Sequence, residues 1–297
     1  MQTTPLRSEA TLLYSFTESL ELRKLQNAQT IAGGFNTILR KVLWELPPQD
    51  HPRATVSASD VEFYKQQGYL VCPGLIPVEM IEEAKQKIQT GVDLGVDRST
   101  LFSREFQNWT KEYKEAPEIM RLFSETPVHK NCEALVGCAI LAPKQSQIAL
   151  RQPRPDGKKD FTLPEIDWHV DAYGQWTAGW FASIVMVVLS DWEEDNMGNF
   201  IAYPKSQFQV SQLLNEMSGS EFRDAMRNCH PLGIEPLQIH AKAGDVIFTH
   251  PLLAHDIAPN LSDKVRWAVL FRPSAIKPIE ERHKFTQPED PAKEIAM

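Results

Sequence analysis

The sequence contains no run of 18 or more apolar residues, so no segment is expected to span a bilayer as a helix. Its first residues, MQTTPLRSEATLLYSFTESLELRK, lack the basic-then-apolar order of a secretory leader, and its last, EIAM, are not the Ser-Lys-Leu peroxisomal address. Positive charge is scarce: 31 Lys and Arg against 39 Asp and Glu leave a net charge of -8, which disfavours nucleic acid and membrane surfaces as partners. Cysteine is sparse as well. Cys72, Cys132, Cys138 and Cys229 show no CxxC spacing, which disfavours both a cysteine zinc site and a disulfide framework. Free thiols in a reducing, cytoplasmic compartment are expected. The chain does have enough apolar material, 42% of 297 residues, for one large domain with an appendage.

Residues 1–56 read as a helical N-terminal extension and linker. Ala10 to Leu25 forms an amphipathic helix pattern, Gly33-Gly34 breaks it, FNTILRKVLWEL offers a second helix, and Pro47, Pro48 and Pro52 mark the linker. No chemistry is read there; the expected role is packing or homodimer formation. One domain is expected over 57–285, with a tail over 286–297. Ser59 and Glu62 predict a capping box at the start of a helix that stops at Gly68, followed by the strand YLVC. Pro77 opens a second helix with Met80, Ile81, Ala84 and Ile88 on one face, and helical pattern dominates to about residue 140. From Gln145 the character changes to short strand-like segments, interrupted by one helical insert, VSQLLNEMSGSEFRDAMRN. Helices first and strands second predict an α+β fold whose core is a double-stranded β-helix, a cupin-like jelly roll.

The chemistry starts at His169-Val170-Asp171. Two residues apart in a strand, the imidazole and carboxylate face the same side, giving two corners of a two-His-one-carboxylate site for non-haem Fe(II). With 8 His and 15 Asp in 297 residues, about 0.4 such pairs arise by chance (8 × 15/297), so the pair alone divides evenly between a metal site and an unrelated surface strand. Downstream, GDVIFTHPLLAHDIAPNLSDKVRWAVLF places a turn at Gly244-Asp245 and offers His250 and His255 as rival third ligands. Arg266 follows His255 by eleven residues inside an apolar strand, where a guanidinium needs an anion. Its fork matches the distal carboxylate of a 2-oxo-dicarboxylic acid, or alternatively a salt bridge at the barrel rim. His240 reads as an ordinary strand residue. Trp168, Tyr173, Trp176 and Trp180 flank the pair and serve equally as flat walls of a substrate pocket or as core packing.

The chain resembles the phytanoyl-CoA dioxygenase family over roughly residues 57 to 275. SDVEFYKQQGYLVCPGLIPVEMIEEAK is similar to its first helix, strand and second helix; QSQIALRQPRPDGKKD and the following WHVDAYG are similar to the segment carrying its His-x-Asp pair; HDIAPNLSDKVR resembles its second iron His and cosubstrate Arg. The resemblance implies His169, Asp171 and His255 as ligands of Fe(II), with His250 excluded, Arg266 on 2-oxoglutarate, and O2 as the oxidant. Arg151 falls where members carry a Lys near the cosubstrate or substrate, and Gln145 is a further cofactor-binding candidate. Two positions depart from the family pattern. Ile257 stands where a Ser touches the cosubstrate, and Lys205-Ser206-Gln207 replaces a "GSH" turn. Asp171 implies hydroxylation, or desaturation or cyclisation, because halogenating relatives leave that position open for chloride. The expected substrate is a small apolar or ring-bearing molecule, as in natural product biosynthesis. Three other readings use parts of the same sequence: a non-catalytic jelly-roll ligand-binding protein, a metal-dependent (zinc) hydrolase with the same ligands, and an interaction module centred on residues 1–50.

Overall fold

In the computed structural model, which describes residues 55–95, 109–154, 168–171, 181–228 and 232–276, helix α1 (Ala58–Gln67) is capped two residues before the expected position. Ser57 has the extended backbone a cap needs; its Oγ accepts from the Asp60 N–H, and the Asp60 carboxylate accepts from the Ser57 N–H. Ser59, expected as the cap, is already helical. Gly68 ends the helix at φ 81, and β1 (Tyr69–Cys72) follows. Helix α2 (Val78–Asp93) buries the predicted stripe of Met80, Ile81, Ala84 and Ile88. With α3 (Lys111–Lys114), α4 (Pro117–Ser124) and α5 (Val128–Val136) it forms a helical layer.

The remaining elements are β2 (Ile140–Leu141), β3 (Gln147–Arg151), β4 (Ile184–Val188), β5 (Phe200–Ala202), α6 (Ser206–Glu216), α7 (Gly219–Arg227), β6 (Leu237–Gln238), β7 (Val246–Thr249), β8 (His255–Ile257), β9 (Arg266–Phe271) and β10 (Ser274–Ala275). The expected single helical insert is two helices. Ser218 forms a second capping box with Glu221 and starts α7 as a separate helix. The main antiparallel sheet runs β1-β7-β4-β9-β3, and a smaller sheet runs β6-β5-β8. This is the expected jelly roll with flanking helices.

Alternation along the strands divides the core in two. Ile148, Leu150, Val269 and Phe271 pack toward α2, α4 and α5, with the Phe123 and Phe271 rings 5.4 Å apart. Ala268 and Leu270 face the other way, packing with Trp168, Val170, Met186, Phe200 and Ile247 inside the jelly roll. Each fully buried large side chain in these clusters contributes about 1.5–3 kcal/mol. The turn ahead of β7 forms as the sequence predicts. Gly244 adopts φ +95, and a Cβ there would sit 3.0 Å from the Ile76 carbonyl oxygen. Asp245 fixes the turn by accepting from the N–H groups of Gly74 and Lys242, each at 2.9 Å. Among the described residues no helix is long and apolar enough to cross a membrane, and Cys72, Cys132 and Cys138 are not joined in disulfides. Residues 1–54 of the N-terminal extension, and the tail, lie outside the described residues.

Candidate metal centre

Strand β8 opens with His255, and its geometry is set by local bonds. The His255 Nδ1–H donates to the Leu253 carbonyl at 2.8 Å, which leaves Nε2 as the outward ligand atom. Phe200, from the adjacent strand, stacks on the ring at 5.2 Å and 22°. One residue earlier, the Ala254 N–H donates to the buried Ser206 Oγ at 2.8 Å. Thus the Lys205-Ser206-Gln207 turn, a departure from the family pattern, brackets this corner of the site. On its other side, the Gln207 amide donates to the carbonyls of Lys65 and Gln66 at the end of α1.

His169 joins His255 through an isolated antiparallel bridge, each backbone N–H donating to the other's carbonyl at 2.9 and 3.0 Å. Asp171 follows two residues later, and its Oδ1 lies 3.6 Å from His169 Nε2 and 3.7 Å from His255 Nε2. One ligand atom from each of the three residues falls within 4.8 Å of the other two. The His255 side chain is 5% exposed and that of Asp171 13%, whereas His169 is 47% exposed, so the cluster is open on one side. Burial by itself raises the Asp171 carboxyl. The adjacent imidazoles of His169 and His255 and the charge of Arg272 outweigh it and hold the group well below the usual carboxylate range. Two imidazole nitrogens and one carboxylate oxygen, on one side and with the other side open, fit a divalent first-row metal such as Fe(II). His250 is not part of the group. Its Nδ1 accepts from the Leu252 N–H, and burial lowers its imidazolium to about 4.

Arg266 opens β9 on the inward face and is only 3% exposed. Its Nε donates to the Gly198 carbonyl at 2.9 Å, Nη1 donates to the Ala149 carbonyl at 3.1 Å, and the guanidinium lies over the Trp192 ring at 5.3 Å. Burial, with the charge of Arg151 added, lowers its pKa to about 9, so it remains a cation at neutral pH. Arg151 is its register partner across the β3–β9 ladder. Gly198 makes this crowding feasible: at φ +76, a Cβ would lie 3.1 Å from the Arg151 Cβ and 3.3 Å from that of Arg266. Asn260 sets the loop between His255 and Arg266 by donating to the carbonyls of Arg151 and Lys264.

The other sequence candidates separate. Gln145 is exposed ahead of β3, on the rim of a cavity of about 590 Å³ that Gln147 and Arg272 also line. Trp168 is a buried core residue, 3% exposed, while Tyr173, Trp176 and Trp180 lie outside the described residues. His240 lies beyond the two-residue β6 and meets Asp195 at 2.8 Å. Ile257 shares the face of β8 with His255 and packs against the inner core. Arg272, which sequence reasoning missed, donates through Nε and Nη2 to Asp171 Oδ2 and through Nη1 to Gln147 Oε1. Its parity was the available signal: six residues after Arg266, it falls on the same face.

The profile of the phytanoyl-CoA dioxygenase family matches residues 64–268, more than half the chain. The chain belongs to the phytanoyl-CoA dioxygenase family. It is accordingly a 2-oxoglutarate-dependent dioxygenase, an oxidoreductase that uses Fe(II) and acts on a small molecule. Solved structures with the same fold include SnoK, a non-heme alpha ketoglutarate dependent carbocyclase from nogalamycin biosynthesis. It is 18% identical, with 79% of this chain and 94% of that chain covered and a TM-score of 0.53. The epimerase SnoN in complex with Fe3+, alpha ketoglutarate and nogalamycin RO is 18% identical, with 73% and 82% covered and a TM-score of 0.52. HygX from Streptomyces hygroscopicus, with nickel and 2-oxoglutarate bound, is 14% identical, with 74% and 88% covered and a TM-score of 0.52. No curated protein sequence matches this member of the family.

Proposed function

We propose that His169, Asp171 and His255 hold Fe(II), that Arg266 receives the distal carboxylate of 2-oxoglutarate, and that the enzyme hydroxylates a small apolar or ring-bearing substrate. The observation that carries this reading is the convergence of three ligand atoms within 4.8 Å, with Asp171 Oδ1 facing both imidazoles. When bound together, Fe(II) and 2-oxoglutarate supply O2-dependent oxidation of a substrate C–H bond with release of succinate and CO2.

The chain's own residues prepare for that chemistry. His255 is fixed in the tautomer that offers Nε2, by its bond to Leu253. Buried Phe200 stacks against its ring and keeps water from that side. Arg266 has two donors committed to carbonyls, while its Nη2 edge takes no part in those bonds and suits a carboxylate. Arg151, beside it in register, adds positive charge at the same end and is proposed to contact the cosubstrate or the substrate. Gln145, at the cavity rim, is assigned to ligand entry rather than to the metal.

The ring-closing and epimerising activities named for SnoK and SnoN make desaturation or cyclisation the second reading of the same site, with natural product intermediates as the substrate class. We further propose a domain spanning 57–285, a cytoplasmic location, and residues 1–56 as an arm for homodimer formation. The deciding experiment is a screen of candidate substrates for succinate release coupled to O2 uptake. A substrate that multiplies succinate release and returns with one added oxygen supports hydroxylation; loss of two hydrogens without added oxygen supports the second reading. A zinc hydrolase consumes no O2 under any condition.

A further inference from the structure

We propose that Arg272 is a positioning residue for the metal: it ties down the outer oxygen of Asp171 so that only Oδ1 is presented to the metal, and Gln147 sets the guanidinium in place. The proposal rests on the reading of His169, Asp171 and His255 as metal ligands.

The two oxygens of Asp171 already have separate surroundings. Oδ1 faces the Nε2 atoms of His169 and His255 at 3.6 and 3.7 Å. Oδ2 faces away from them and accepts from both Nε (3.1 Å) and Nη2 of Arg272. A carboxylate with both oxygens available can bind a divalent cation through either one or two of them. A two-pronged guanidinium on Oδ2 removes that choice, since rotating the carboxylate would break two charge-assisted hydrogen bonds. A one-oxygen carboxylate leaves more of the coordination sphere for ligands that are not protein.

The guanidinium is held by two further contacts, and the backbone beside it is pinned. Nη1 donates to Gln147 Oε1 at 2.7 Å, the Phe181 ring lies 5.9 Å from Cζ, and the next residue, Pro273, accepts the Ala182 N–H at 2.7 Å. Gln147 projects inward because Ile148 and Leu150, its neighbours in the alternation of β3, pack toward the helices. A lysine placed here could match the charge but not the fork. Because the Arg272 side chain is 27% exposed and lines the open cavity beside Gln147, an apolar replacement leaves no sealed void.

The test is Mn(II) titration of the full chain by calorimetry, paired with the visible spectrum of the Co(II)-loaded protein, which reports coordination. Arg272→Met is expected to weaken Mn(II) binding about 10–100-fold, as loss of a residue that orients a metal ligand does. It should also change the intensity and position of the Co(II) bands. Arg272→Lys should recover part of both signals, and Gln147→Ala should weaken binding roughly 3-fold with a smaller spectral change in the same direction. Wild-type affinity and an unchanged Co(II) spectrum in a folded Arg272→Met chain overturn the proposal. Should that variant fail to fold, wild-type behaviour of Gln147→Ala on both readouts overturns it instead. His169→Ala separates the two ideas: loss of binding there without loss in Arg272→Met defeats the positioning role alone. Binding unaffected by His169→Ala defeats the metal site and this proposal with it.

Discussion

Arg266 opens β9 and Arg272 directly follows its last residue, Phe271; six residues apart, about 20 Å of extended chain, they fall on the same side by alternation and meet opposite surroundings. Arg272 is partly exposed and has its anion within the protein, Asp171, together with the Gln147 amide. Arg266 is buried, rests on two backbone carbonyls and the Trp192 ring, and has Arg151 rather than a carboxylate beside it; no acid among the described residues pairs with it. A buried guanidinium without a counter-ion is a standing cost to the fold, and such costs collect where a ligand supplies the missing charge. One end of the strand is therefore electrostatically complete within the protein, and the other, in the function we propose, is completed by 2-oxoglutarate.

The largest expected effect breaks the incomplete end. Arg266→Ala should raise the 2-oxoglutarate requirement for succinate formation about 100-fold, the loss of about 3 kcal/mol for a bidentate charged pair, with iron affinity little changed. Arg266→Met should do the same to 2-oxoglutarate while raising the stability of the ligand-free protein by about 1–3 kcal/mol, read as a higher melting temperature. A drop in stability would contradict the uncompensated-charge account. The metal end is tested by the Mn(II) affinity of Arg272→Met, with the 10–100-fold change already given. A smaller effect is expected from Gly198→Ala, which adds a Cβ at φ +76 between the two β3–β9 arginines. Denaturant titration should show a loss of about 1–2 kcal/mol, with weaker 2-oxoglutarate binding and normal metal binding. The last, which leaves both ligand sites untouched, concerns His250, outside both ends. Its folded pKa of about 4 lies below its usual 6.5, so between those values the unfolded chain binds a proton that the native one does not. Stability should fall as pH drops from 6.5 to 4, and His250→Gln should flatten that slope in a melting-temperature series, leaving metal affinity unchanged.

Much of this contrast was legible in the sequence. The His-x-Asp pair, His255 and Arg266 fall in segments whose order and spacing are local, and the stripe on α2 and the strand YLVC follow from side-chain periodicity. Other features required contacts between distant segments. Arg272 meets Asp171 across 101 residues, and Ser206 meets Ala254 across 48, so neither link has a local signature. The first capping box was misplaced by two residues because Ser57 and Ser59, with Asp60 and Glu62, present nearly the same pattern. Only the extended backbone at Ser57 tells them apart. The helical insert was read as one element because Ser218-Gly219 sits inside a continuous apolar period; the break came from Ser218 and Glu221 capping each other.

The most direct test of the iron and 2-oxoglutarate site is the visible charge-transfer band formed when Fe(II) and 2-oxoglutarate are added anaerobically, followed by succinate release on admitting air. The band and the succinate should appear in the wild-type chain and in His250→Ala, and vanish in His169→Ala, Asp171→Ala and His255→Ala. Absence of both signals from the wild type, or their survival in all three ligand variants, would contradict the account.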